Sequence, residues 1–248
     1  MLMAIPRPGR APAPAVPPRR LPDPCGSCTV RALSVCSALG HADMAGLVEI
    51  IGRCEFAAGA TLMMEGEPAD HLFTIVRGTV KTYRLLPDGR RQITGFLMAG
   101  DFLGIALNDT NPYSAEAVDP VTVCRLPRRR FQKLVDGFPQ LERRLLVDAS
   151  NELFAAQDQM LLLGRKTARE KVASFLLMLS RRAARRGCSA DALCLAMSRT
   201  DIGDYLGLTI ETVSRTMTAL RRNGIIALHG ANQVDILDPD GLEDAAEG

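Results

Sequence analysis

The chain has 248 residues, enough for one or two domains with a properly buried core. Its 30 Lys and Arg against 28 Asp and Glu leave a formal charge of +2, which excludes a bulk polycation that holds nucleic acid by charge alone; any such contact must be local. An aromatic content of 4% with no Trp argues against aromatic platforms for carbohydrate or single strands.

The chain opens with Met1-Leu2-Met3-Ala4-Ile5 and then Pro-Arg-Pro-Gly-Arg, which leaves no apolar run long enough for a secretion signal. No stretch approaches a membrane span, so the expectation is a cytoplasmic protein with no membrane partner. In that reducing setting the seven cysteines suggest metal binding or redox chemistry rather than disulfides.

Residues 1–24 hold eight of the 15 prolines, four arginines and a single acid, Asp23; this composition neither packs nor forms a helix and is expected to be a disordered tail. Residues 25–137 form the next unit. Cys25, Cys28, Cys36 and Cys54 come first, with a helical pattern of Met44, Leu47, Val48 and Ile51 running up to Gly52. Short β-type runs follow at 72–76, 79–83 and 92–97, punctuated by Gly66, Gly78, Gly89 and Gly100, and Pro87-Asp88-Gly89 joins two of them as a hairpin. Several short strands with closely spaced turns predict a small antiparallel barrel or roll.

Glycine and proline are then sparse from 138 to 164, where Leu146, Ala149, Leu153, Ala156, Met160 and Leu163 keep the alternating spacing of a helical seam. That seam could lie on the chain's own roll or on a second copy. Residues 165–186 carry eight basic residues and one acid, Glu170, around Val172, Phe175, Leu176 and Leu179. The unit 165–237 ends before an acidic tail, 238–248, with five acids and no base.

Within that unit, Ser198 to Arg221 reads as two short helices with a turn between them. Ile202, Leu206, Leu208, Val213 and Leu220 are the positions two crossed helices would bury, Gly207 suits the turn and Thr209 caps the second helix. Glu211 and Arg215 share one face of that helix, with Ser214 and Thr212 beside them. Arginine forks onto guanine, glutamate accepts from cytosine, and serine bonds a base edge or phosphate. A hairpin pattern follows at 224–228 and 233–237, so the segment predicts a winged helix-turn-helix with its second helix in the major groove of double-stranded DNA. Arg199, Arg221, Arg222 and the run at 181–186 are expected to neutralise flanking phosphates. One such helix reads few base pairs, which favours a homodimer on half-sites about one turn, roughly 34 Å, apart and gives the helical seam to the dimer.

The order of parts, an α+β chain with a glycine-punctuated roll, a long helix and a winged helix-turn-helix, resembles the Crp/Fnr family of bacterial transcription regulators. The specific matches are Gln92-Ile93-Thr94-Gly95-Phe96 with Ala99-Gly100-Asp101, Gln157-Asp158 with Leu161-Leu162-Leu163, and Asp201 through Arg215. They are similar to the FNR branch, which implies a cyclic-nucleotide-binding-like roll, a non-enzymatic activator that contacts RNA polymerase, and a TTGAT-type half-site read by Glu211, Ser214 and Arg215. Ser114 follows Tyr113 rather than an arginine, so the phosphate-binding pair of the cAMP branch is missing and no cAMP binding is expected.

Cys25-x2-Cys28-x7-Cys36 places three thiols in one short loop, a pattern that suits zinc or an iron–sulfur cluster. The resemblance implies a [4Fe–4S] cluster on Cys25, Cys28, Cys36 and Cys124, with oxygen destroying the cluster and lowering dimer and DNA affinity together. The alternative is a cluster-free regulator that senses redox through zinc-bound or free thiols. Cys54 is expected just before the first strand as a packed thiol, and Cys188 and Cys194 as structural thiols between domains. Ala156 leaves no acid in the seam, so dimerisation is expected to depend less on the cluster than a charged seam would make it.

Overall fold

The structure, a computed structural model, describes residues 25–104 and 109–248; the segment 1–24, expected to be a disordered tail, lies outside them. A loop of turns carries the first cysteines and ends in a short 3-10 turn, Val35–Ala38, before helix α1 at Met44–Ile50. Eight strands then form the roll: β1 Gly52–Phe56, β2 Thr61–Met63, β3 His71–Arg77, β4 Val80–Leu85, β5 Arg91–Leu97, β6 Phe102–Leu103, β7 Ser114–Ala117 and β8 Val121–Pro127. They pair in two antiparallel sheets, ordered β1-β8-β3-β6 and β2-β7-β4-β5. The runs read at 72–76, 79–83 and 92–97 are β3, β4 and β5, and Gly89 at φ 88° makes the turn between the last two. The sequence reading missed β1, β2, β6 and β7, which have too few residues for a period to emerge, and also β8, which is as long as β3.

Strand side chains alternate between faces, and that alternation organises the roll. Phe73 and Ile75 of β3 and Val121 and Val123 of β8 point into the interior, which Cys54, Phe56 and Leu103 help to fill. Leu72 of β3 and Cys124 and Leu126 of β8 point the other way, into a second apolar cluster closed by Val35, Leu39, Met44 and Leu47 from the N-terminal loop and α1. Helix α2, Arg128–Gly137, adds Phe131 and Val135 to that cluster, and Leu141 at the start of α3, Pro139–Arg165, completes it. Pro139 at the first turn of α3 breaks the chain cleanly from α2, because proline suits a helix start and no helix interior.

The seam of α3 faces outward. Leu146, Leu153 and Met160 are 70%, 60% and 66% exposed, so the protomer's own roll does not cover them. Leu163 is half-buried against the C-terminal unit.

Helix α4, Ala168–Arg185, starts with a capping box in which the Glu170 N–H donates to Thr167 Oγ1 at 3.4 Å and the Thr167 N–H donates to Glu170 Oε2 at 2.8 Å. It buries Val172, Phe175, Leu176 and Leu179. After β9, Ala192–Cys194, come α5, Arg199–Leu206, α6, Ile210–Arg222, and the strands β10, Ile226–His229, and β11, Gln233–Ile236, which pair as β10-β11-β9. The segment 238–248 is not a tail. It forms helix α7, Pro239–Glu247, packed on α4 with Leu242, Ala245 and Ala246 buried and its acids turned outward. Three small or medium apolar residues among five acids leave little periodic signal, so the composition hid it.

Candidate functional site

Two surfaces carry the candidate chemistry. The first lies on the outer face of β8. Arg53 of β1 stands directly opposite Cys124 on one side, and Thr74 of β3 stands opposite it on the other. Cys54 is paired with Val123 and so belongs to the interior face; it sits within β1 rather than before it. The N-terminal loop folds over the outer face, and Cys25, Cys28, Cys36 and Cys124 line one cavity of about 10 Å³ together with Arg31, Ser34 and Thr74. As placed, no three histidine, cysteine or carboxylate side chains among the described residues stand close enough to hold a single metal ion. Burial pushes the Cys124 thiol up to about 12, with the neighbouring thiols adding to the rise, and burial likewise raises Cys36. Both thiols are therefore protonated at neutral pH, and a metal would have to displace those protons. Cys188 and Cys194, read as structural thiols between domains, are both exposed.

The loop is tied to two other elements. An ideal Cβ at Gly100, whose φ is +95°, would stand 2.7 Å from Leu33 Cβ, so only glycine lets the loop sit this close to the roll. Arg144 of α3 donates to the Leu33 carbonyl at 3.0 Å and to Ser37 Oγ at 3.1 Å while paired with Asp148 at 3.1 Å.

The second surface is on α6. Gly207 turns the chain in the left-handed region at φ 64°, and the Thr212 N–H donates to Thr209 Oγ1 at 3.2 Å, which starts α6. Val213, Met217 and Leu220 are buried against the rest of the unit, leaving Glu211, Ser214 and Arg215 exposed on the outer face, where Arg215 donates to Thr212 Oγ1 at 3.5 Å. The sequence reading overlooked Ile210, 44% exposed at the first position of the helix, where an apolar side chain can meet a thymine methyl group.

The arginines assigned to phosphates divide. Arg221 and Arg222 are exposed at the end of α6. Arg199 is half-buried, with Nη1 enclosed and without a hydrogen-bond partner among the described residues. In the run at 181–186, Arg182 and Arg186 are half-buried and turned toward the roll. Both pair with Asp101, Arg186 at 2.9 Å, while Arg182 Nη1 donates to the Phe96 carbonyl at 2.6 Å and Arg186 Nε to the Ala99 carbonyl at 2.9 Å. They fasten α4 to the roll.

A buried ion cluster fastens α5 to the roll as well. Lys81 Nζ lies 2.8 Å from Asp201 and 3.0 Å from Glu116, and Arg91 reaches Asp201 at 3.1 Å and Asp204 at 2.9 Å. Asp201 also closes the capping box of α5 on Ser198, which the Ser198-x-x-Asp201 spacing announces.

A strand roll, a long helix with an open apolar seam and a winged helix-turn-helix presenting an exposed polar helix face together define a DNA-binding transcription regulator. Comparison with known proteins places the chain. The cyclic nucleotide-binding domain family matches residues 53–137, and the Crp-like helix-turn-helix domain family matches 170–245. The nitrogen fixation regulation protein FixK of Bradyrhizobium diazoefficiens is 44% identical over 88% of this chain and 92% of its own length. The transcriptional activator protein anr of Pseudomonas aeruginosa is 40% identical over 86% and 88%. Among solved structures, FixK2 from Bradyrhizobium japonicum superposes with a TM-score of 0.75 at 39% identity, covering 79% of this chain and 97% of that one. The chain belongs to the Crp/Fnr family, with FNR-branch regulators as its relatives, and is a regulator rather than an enzyme. No helix among the described residues is long and apolar enough to cross a membrane.

Proposed function

We propose that this protein is an oxygen-responsive cytoplasmic transcription activator of anaerobic or microaerobic genes. It works as a homodimer, holds a [4Fe–4S] cluster on Cys25, Cys28, Cys36 and Cys124, reads a TTGAT-type inverted repeat and contacts RNA polymerase. The carrying observation is the common cavity: the three-cysteine loop covers the one strand face that presents Cys124. The donor set is all soft thiol, and two buried polar atoms without a hydrogen-bond partner among the described residues, Thr74 Oγ1 in the cavity wall and Arg53 Nε at the strand position opposite Cys124, suit an anionic group rich in sulfur. Relatives that are a nitrogen fixation regulator and a transcriptional activator support the activating role. The filled interior of the roll and the Ser114 hydroxyl, which accepts the Glu65 N–H at 3.0 Å, support the absence of cAMP binding.

Bound to these thiolates, the cluster supplies an oxygen-sensitive cross-link between loop and strand. The chain does the rest. Leu33 seats the loop on Gly100, the adjacent Asp101 grips Arg182 and Arg186 of the DNA-reading unit, and Arg144 joins the loop to the dimer helix. A loop that is ordered favours one arrangement of all three, and a ligand that prefers the dimer-competent state pulls dimerisation with it.

The test is iron and acid-labile sulfide analysis of anaerobically purified protein, with absorbance before and after air. A brown protein that bleaches is expected; a colourless protein bearing zinc would overturn the cluster in favour of a thiol- or zinc-based redox sensor. The dimer has its own test. Leu153→Glu places two acids across the two-fold seam and should give a monomer by analytical ultracentrifugation, while the unsubstituted apo chain sediments as a dimer at micromolar concentration. A monomeric apo chain would sink the view that this acid-free seam suffices.

A further inference from the structure

Among the described residues only three buried side-chain polar atoms lack a hydrogen-bond partner: Arg53 Nε, Thr74 Oγ1 and Arg199 Nη1. Two of the three flank the same cysteine, because β8 runs between β1 and β3 and sets Cys124 directly opposite Arg53 on one side and Thr74 on the other. Residues directly opposite in neighbouring strands project from the same face, so all three side chains share the face that the cysteine loop covers.

Thr74 is 2% exposed and lines the cysteine cavity. Valine would fill the same space on a strand without a hydroxyl to satisfy, and leaving a buried hydroxyl unpaired costs free energy. The hydroxyl therefore calls for an acceptor, and the cavity's own chemistry offers sulfur. Arg53 adds a cation whose enclosed Nε is also without an acceptor.

Resting on the cluster reading above, we infer that Thr74 and Arg53 are the polar support of that cluster: the Thr74 hydroxyl and the Arg53 guanidinium donate hydrogen bonds to its sulfur atoms. Such bonds to sulfur and such nearby charge set how tightly an anionic cluster is held and how readily it changes oxidation state. Both groups act through the ligands and are positioning residues. They explain why a strand position otherwise suited to valine carries threonine.

Thr74→Val and Thr74→Ser in the full-length protein, purified without air, test the idea. The valine variant should melt at or above the wild type in the apo form, since an unsatisfied hydroxyl is gone, yet lose its iron–sulfur absorbance to air or chelator roughly tenfold faster. The serine variant should recover most of the wild-type lifetime. The Fe–S stretching bands in resonance Raman spectra should shift in D2O for the wild type and the serine variant, and stay fixed for the valine variant. A valine variant with wild-type lifetime overturns this inference alone, as does a wild type whose Fe–S bands ignore D2O, a measurement that needs no variant. A wild type without iron and sulfide overturns the cluster reading and this inference with it.

Discussion

Replacing Arg215 by alanine is expected to remove site-specific DNA binding while leaving the fold and the cysteine pocket untouched. Arg215 lies on the exposed face of α6, and among the described residues its one hydrogen bond is a long one, to Thr212 Oγ1 at 3.5 Å, so its loss should cost the fold little. In the major groove the same guanidinium can fork onto guanine O6 and N7, and one such pair discriminates by about 1–3 kcal/mol. A two-fold dimer loses the pair in both half-sites, which brings the total to about 2–6 kcal/mol and is enough to merge specific with non-specific binding. Fluorescence anisotropy with a TTGAT-type duplex and a scrambled duplex measures it. The variant should bind both equally, with the salt dependence of non-specific contacts retained. Undiminished preference for the site would mean that a different element reads the bases.

The second large effect is structural. Asp201→Ala should destabilise the protein by about 3–5 kcal/mol, the usual penalty for removing one partner of a buried ion pair. Lys81, its side chain 8% exposed, would keep only Glu116 at 3.0 Å, and Arg91 would keep only Asp204 at 2.9 Å. The α5 capping box would open as well, a further loss of about 1 kcal/mol. Calorimetry should show a lower melting temperature, and Asp201→Asn, which keeps the cap's oxygen, should lose less. A variant as stable as the parent would show that the cluster's desolvation cost cancels its attraction.

The same carboxylate fixes a pH dependence. Burial alone would raise the pKa of Asp201, but hydrogen bonds from Lys81 and Ser198 outweigh it and hold the carboxyl below its ordinary value. A depressed folded-state pKa gives stability that is present in full above the ordinary carboxylate range and disappears as pH falls through the folded value. Around neutrality this pair contributes no slope; the loss belongs to the acid limb of a stability profile.

Both effects bear on how much the sequence discloses. The helix-turn-helix is legible almost residue by residue, because its signals are local: Ser198 three before Asp201, Gly207 where the chain must adopt positive φ, Thr209 at the cap. Strands β3, β4 and β5 are long enough for their period to stand out, and the cysteine spacing is plain. What no local pattern reports is which residues meet across the chain. Lys81 and Asp201 are separated by 120 positions, and neither sits in a stretch that names the other. Arg182 and Arg186 read as DNA-facing because they are basic and clustered, whereas Asp101, one acid in a glycine turn, draws them onto the roll. Thr74 and Arg53 look like ordinary strand residues until the register sets them on either side of Cys124. The helix α7 was hidden for a different reason: its acids dominate a composition whose apolar stripe is only Leu242, Ala245 and Ala246.

Strand β8 ties the placement of Cys124 to the folding of the roll. Its inward side chains, Val121 and Val123, are fully enclosed, at 2% and 0% exposed, so the roll cannot close in any other register. A slip of one residue would send Cys124 into the interior and a valine to the outside. The fourth thiol therefore needs no dedicated device to find its place, and any chain that has completed its roll has delivered it. Whatever chemistry the four thiols share is thus open only to a correctly folded chain, because a copy whose roll has slipped lacks the completed thiol set.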